Sequence, residues 1–109
     1  MELIYFGKKE KIGPCEVLVK VEYFNGASCN EKLKNIGTHS PDGFQWGYGG
    51  SGPTDLAISI LSDFFKRKNI KDIKVSNCQN DFKNDFIAIE KNDLKISSKD
   101  IEKWLKIIK

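Results

Sequence analysis

One stretch of the chain, His39 to Leu61 (HSPDGFQWGYGGSGPTDLAISIL), gathers most of the residues whose type and spacing could do chemistry. Phe44, Trp46 and Tyr48 alternate with Gly43, Gln45, Gly47 and Gly49. That alternation predicts a strand with three aromatics on one face and nearly bare backbone on the other, where a second backbone or a flat ligand can come close. Gly49 to Gly52 follow, and an apolar periodic run then predicts a helix from Pro53 to about Lys68. The first N–H groups of a helix lack intrahelical acceptors and carry the positive end of its dipole, so this corner has the make-up of a phosphate or carboxylate cradle. The expected ligand-binding residues are Trp46, Tyr48, Gly49, Gly50, Ser51, Gly52 and Thr54. Backbone N–H groups from Gly50 to Thr54 take the anion, and Trp46 or Tyr48 stacks on a base. The competing reading is structural: glycines that turn a tight corner, and aromatics that are ordinary core.

Three enzyme motifs are nearly matched, and each miss has a chemical consequence. Gly47, Gly49 and Gly52 satisfy G-x-G-x-x-G and Asp72 lies further on, but a dinucleotide fold needs more chain on both sides. Gly47 and Gly52 have P-loop spacing and Thr54 is in place, yet Pro53 stands where the phosphate-binding lysine belongs, which argues against nucleoside triphosphate hydrolysis. A nucleophile elbow centred on Ser51 lacks its final glycine, again because of Pro53, and His39 is the only histidine to serve as base. No catalytic residue is expected, and the chain reads as a non-catalytic protein.

Charge and cysteine usage narrow the classes further. The net charge is +3, from 18 basic and 15 acidic residues, and Arg67 is the only arginine. Arginine dominates base-edge and bidentate phosphate contacts, so a nucleic-acid partner is not expected. The densest basic stretch, Lys66-Arg67-Lys68 with Lys71 and Lys74, reads as a solvated helix end. Cys15, Cys29 and Cys78 form no C-x-x-C pair, which fits three reduced thiols in a cytoplasmic protein and no metal or other cofactor. No apolar run reaches membrane-spanning length, and the first residues do not read as a signal peptide.

The elements that must hold the segment are legible from periodicity. Glu2 to Phe6 is a short apolar run, and Cys15 to Phe24 alternates with Val17, Val19, Val21 and Tyr23 on one face. Asn25-Gly26 predicts a tight hairpin turn with positive φ angles, after which Ala27 to about Glu31 returns antiparallel. Ser40-Pro41-Asp42-Gly43 has the make-up of a type I turn. Leu56, Ala57, Ile60, Leu61, Phe64 and Phe65 make the helix that follows the most buried element. A further helix is expected over about Asn77 to Ile89, a brief strand at Leu94 and Ile96, and a last helix opened by Ser97 and Asp100 in a capping box. The fold class is α+β: a small single domain over residues 1–109, with an N-terminal antiparallel β-sheet and hairpin packed on a buried central helix, and a C-terminal helix.

The run His39-Ser40-Pro41-x-Gly43-Phe44-x-Trp46-Gly47-Tyr48-Gly49-Gly50-Ser51-Gly52-Pro53, followed by an Ala/Leu-rich helix, resembles the signature of an uncharacterised domain family of bacteria and their phages. Tyr5-Phe6-Gly7, Phe82-Lys83 and Ile101 to Leu105 are similar to further elements of that family. The resemblance implies a bacterial or phage protein but supplies no reaction and no ligand. The leading expectation is a binding domain that holds a small anionic, nucleotide-like ligand at the Gly-rich loop, in a phage setting as a sequestrant of a host-defence signal. The alternative is a small inhibitor or interaction module that occupies a host protein, with Trp46 or Trp104 exposed as hot spots. A homodimer formed through the sheet edge or the last helix accompanies either reading.

Overall fold

The computed structural model describes residues 1–108. Four strands form one antiparallel sheet: β1 (Glu2–Gly7), β2 (Val17–Glu22), β3 (Ser28–Lys32) and β4 (Leu94–Ser97), in the order β3-β2-β1-β4. The helices are α1 (Ser51–Arg67), α2 (Val75–Phe82), which runs into a π-helical turn at Lys83–Ile87, and α3 (Ser98–Ile108). The mixed α+β class expected from the pattern is the one observed.

Register decides which side chains meet the helices. Leu3, Tyr5 and Gly7 lie opposite Val21, Val19 and Val17, and Tyr5 and Gly7 lie opposite Ile96 and Leu94. With a side-chain period of two, these positions form one buried face, and it packs on Leu56, Ile60, Leu61 and Phe64 of α1. Full burial of each such side chain is worth about 2 kcal/mol. Tyr5 also donates its hydroxyl to Asp63 Oδ2 (2.8 Å), and Arg67 bonds both Asp63 and Glu31, so one polar chain ties β1 and β3 to α1. Burial, then the Asp63 charge, push the Tyr5 phenol well above its usual pKa. The Lys66 to Lys74 stretch is partly spent in the same way, since Lys68 bonds the Met1 carbonyl and Glu102.

Two local expectations change. The hairpin between β2 and β3 is a three-residue loop closed by Tyr23 N–H on the Ala27 carbonyl, and only Gly26 has positive φ (88°). Asn25 instead accepts the Ala27 N–H with its side chain, as an Asx turn does. Phe44 to Tyr48 is not a strand, and no ladder partner pairs with it. Phe44 and Trp46 are buried, but Gly47 at φ 91° turns the chain so that Tyr48 swings out to solvent, 49% exposed. The capping box holds as read: Ser97 Oγ accepts Asp100 N–H and Asp100 Oδ2 accepts Ser97 N–H.

Candidate functional site

Helix α1 begins two residues earlier than its apolar period implies, at Ser51, with Gly50 as N-cap and no side chain bonded at the cap. Pro53 therefore sits third in the helix, still in the turn where an N–H has no intrahelical acceptor. Thr54 makes the first helical bond, N–H to the Gly50 carbonyl at 3.0 Å, and its hydroxyl donates to the same oxygen at 2.8 Å. Ser51 and Gly52 N–H precede that first bond, and the first turn of α1 contains no acidic residue.

Three lysines from separate parts of the chain converge on this segment. Lys83, at the start of the π-helical turn, reaches Thr54 Oγ1 at 3.3 Å. Lys91 donates to the Gly47 carbonyl at 2.7 Å, and Lys9 donates to the Trp46 carbonyl with its ammonium 5.2 Å from the indole centroid. An ammonium has three donors, so each keeps protons beyond these bonds. Pro53 removed the P-loop lysine from the sequence motif; the tertiary structure brings one ammonium, Lys83, to the first turn of α1, with Lys9 and Lys91 at the Trp46 and Gly47 carbonyls that precede it.

The residues expected to hold a ligand have different fates. Trp46 is fully buried and donates its indole N–H to the Asn92 carbonyl at 2.7 Å, so it is core and is not placed to stack on a base. Tyr48 is the exposed aromatic, and its ring lies across Gly50: a Cβ there would come within 2.7 Å of it. Gly52 is buried beneath the Gln45 side chain and the Gly43 carbonyl, so bare backbone here admits the chain itself rather than a ligand. Gly49 is the opposite case, with open space where a side chain would be, and Ser51 is exposed beside it. A hollow of about 570 Å³ between Pro14–Val17, Lys32–Asn35 and Phe44 lies to one side and includes none of residues 46–54. The turn is an open surface contacted from one side, not an enclosed pocket.

Sequence reasoning missed Asp55. It is fully buried, and its carboxylate accepts His39 N–H (3.1 Å), Ser40 N–H (2.8 Å) and the His39 ring at Nδ1 (2.8 Å). One turn on, buried Ser59 accepts Ile36 N–H, so two polar positions of α1 staple the 36–40 loop beside the glycine turn. Burial opposes ionisation of Asp55, but the bonds from Ser40 and His39 outweigh it and hold the carboxyl below its usual pKa. The clue was an Asp and a Ser four residues apart inside an apolar helix. Lys9, Lys83 and Lys91 had no such signal among 17 lysines.

An open four-stranded antiparallel sheet backed by helices, with a glycine turn contacted by three lysines before the longest helix, defines a small α+β domain. A family model described as a family of unknown function, DUF6166, matches residues 5–107, and the chain belongs to that family. No curated protein and no solved structure matches it.

Proposed function

We propose that this protein is a non-catalytic binding domain that takes a small phosphorylated, nucleotide-like anion at the turn from Gly47 to Thr54. The observation that carries the reading is the convergence of Lys9, Lys83 and Lys91 on a turn that also opens α1 without a side-chain cap. In this reading the exposed Ser51 N–H meets a phosphate oxygen, Thr54 and Lys83 flank it, and Tyr48 packs on the attached base. A phage or bacterial cytoplasmic setting and a role in sequestering a signalling nucleotide extend it. So does a homodimer, supported by β3, an edge strand exposed along its whole length. The alternative of a protein inhibitor loses its expected hot spots, because Trp46 and Trp104 are both core residues.

Calorimetric titration with nucleoside mono- and diphosphates and cyclic nucleotides tests the proposal. Gly49→Asp is the decisive variant, since it adds a carboxylate in open space. Binding that weakens at least tenfold in Gly49→Asp and in Lys83→Met, with thermal stability kept, supports the site. Absence of heat with every nucleotide overturns it.

A further inference from the structure

The helices cover one face of the sheet and leave the other open. On that open face Phe6 lies between Leu18 on β2 and Lys95 on β4, and Ile4 lies between Lys20 and Ser97. Ile4, Phe6 and Leu18 are only half-buried, although they occupy the two central strands of the sheet. Two hollows flank Phe6. The larger, about 570 Å³, is lined by Ile4, Phe6, Lys8, Lys20, Asp93 and Lys95 among others. The smaller, about 240 Å³, lies towards Leu18 and Glu16. No helix residue lines either one.

Charge on this face is unevenly spread. The larger hollow has three lysines against one carboxylate, and Asp93 already accepts Lys9 N–H at 2.7 Å. Of the other acidic groups, Glu10 and Glu16 line the smaller hollow on the Leu18 side of Phe6, with Glu16 paired to Lys32 at 4.0 Å; Glu2 accepts the Ser98 hydroxyl, and Glu22 is at the far end of β2. An aromatic ring at the centre of an open sheet, with ammonium groups around it from β4 (Lys95), from β2 (Lys20) and from just beyond β1 (Lys8), has the chemistry of a stacking platform beside phosphate contacts. Lysine suffices for this, because stacking reads no base edge and phosphate contacts need only charge.

We infer that the open sheet face binds single-stranded nucleic acid without sequence preference, a base stacking on Phe6 while Lys8, Lys20 and Lys95 neutralise the adjoining phosphates. This site is separate from the glycine turn and uses different lysines. It differs from the Lys66 to Lys74 stretch, the densest basic run in the sequence.

Fluorescence anisotropy with labelled oligo-dT and oligo-U of about ten nucleotides, spanning one small binding platform, is the test. Three phosphate contacts predict that log affinity falls with log salt at a slope of about −2. Phe6→Leu keeps an apolar side chain in the sheet but removes the ring, and is expected to weaken binding about tenfold, a typical loss for one stacked base. Lys20→Glu with Lys95→Glu is expected to abolish binding at low salt, while Lys66→Glu with Lys71→Glu leaves it unchanged. Circular dichroism of each variant checks the fold. Failure of oligonucleotides to bind at low salt overturns the inference. Equal affinity in Phe6→Leu, or a dimer interface that buries Phe6 in a second copy, does the same.

Discussion

Replacing Asp55 tests how the glycine turn is supported. In Asp55→Ala three donors lose their acceptor: His39 N–H, Ser40 N–H and His39 Nδ1. Hydrogen bonds to a charged group contribute about 1.5–3 kcal/mol each, but they share one carboxylate and do not add fully. A loss of about 3–5 kcal/mol follows, out of a total stability of about 5–15 kcal/mol for a domain. At roughly 4 °C per kcal/mol for a chain of this length, Tm falls by about 12–20 °C. Asp55→Asn keeps the shape and one acceptor oxygen but turns an NH2 towards donors, and is expected to cost about 2 kcal/mol. The pH dependence supplies an independent check. The folded-state pKa of Asp55 is depressed, so its contribution is fully present above the unfolded carboxyl value of about 4. Below that pH the unfolded chain takes up a proton that the native carboxylate resists, and the contribution is lost as pH falls through the lowered value. Urea melts across this acid range give the difference between wild type and Asp55→Asn, which should shrink towards zero. A cost under 1 kcal/mol for Asp55→Ala, or a difference that does not change with pH, would falsify the reasoning.

Two further outcomes follow from geometry. Gly47→Ala forces a side chain into left-handed backbone at φ 91°, with its Cβ 2.9 Å from the Glu90 carbonyl oxygen; a destabilisation of about 2 kcal/mol or more is expected in chemical denaturation, and an unchanged midpoint refutes it. Of the three free thiols Cys29 is exposed, whereas Cys15 and Cys78 are buried, and burial with the nearby Asp81 raises the Cys78 pKa. Native-state alkylation followed by mass spectrometry should therefore label Cys29 quickly and the other two only on unfolding.

How much of the site could be read from the chain depended on the range of the interactions. The apolar stripe of α1, the alternation of Val17, Val19 and Val21 in β2 and the Ser97–Asp100 capping box are local patterns that formed, although β2 stops at Glu22 and leaves Tyr23 exposed. The segment from Phe44 to Tyr48 also alternates, yet a strand needs a neighbour paired along its length, and this segment makes isolated bonds to two different parts of the chain, Cys15 N–H to the Phe44 carbonyl and Gly47 N–H to the Ile87 carbonyl. Its glycines likewise looked ready for a ligand, but several serve the chain's own packing: Gly52 admits Gln45, and Gly47 lies against Glu90 and Lys9.

What the amino-acid order determined by itself is the hairpin strands, α1 and α3 with their buried faces, and the position of the Gly-rich corner, because turn chemistry and hydrophobic period act over a few residues. Only the tertiary structure decided that Trp46 goes inside and Tyr48 outside, that Asp55 receives the His39 loop, and that Lys9, Lys83 and Lys91 gather at one turn. It also decided that one sheet face stays open around Phe6. These are juxtapositions of residues up to dozens of positions apart, and such contacts form only when packing of the whole core fixes the relative placement of the elements.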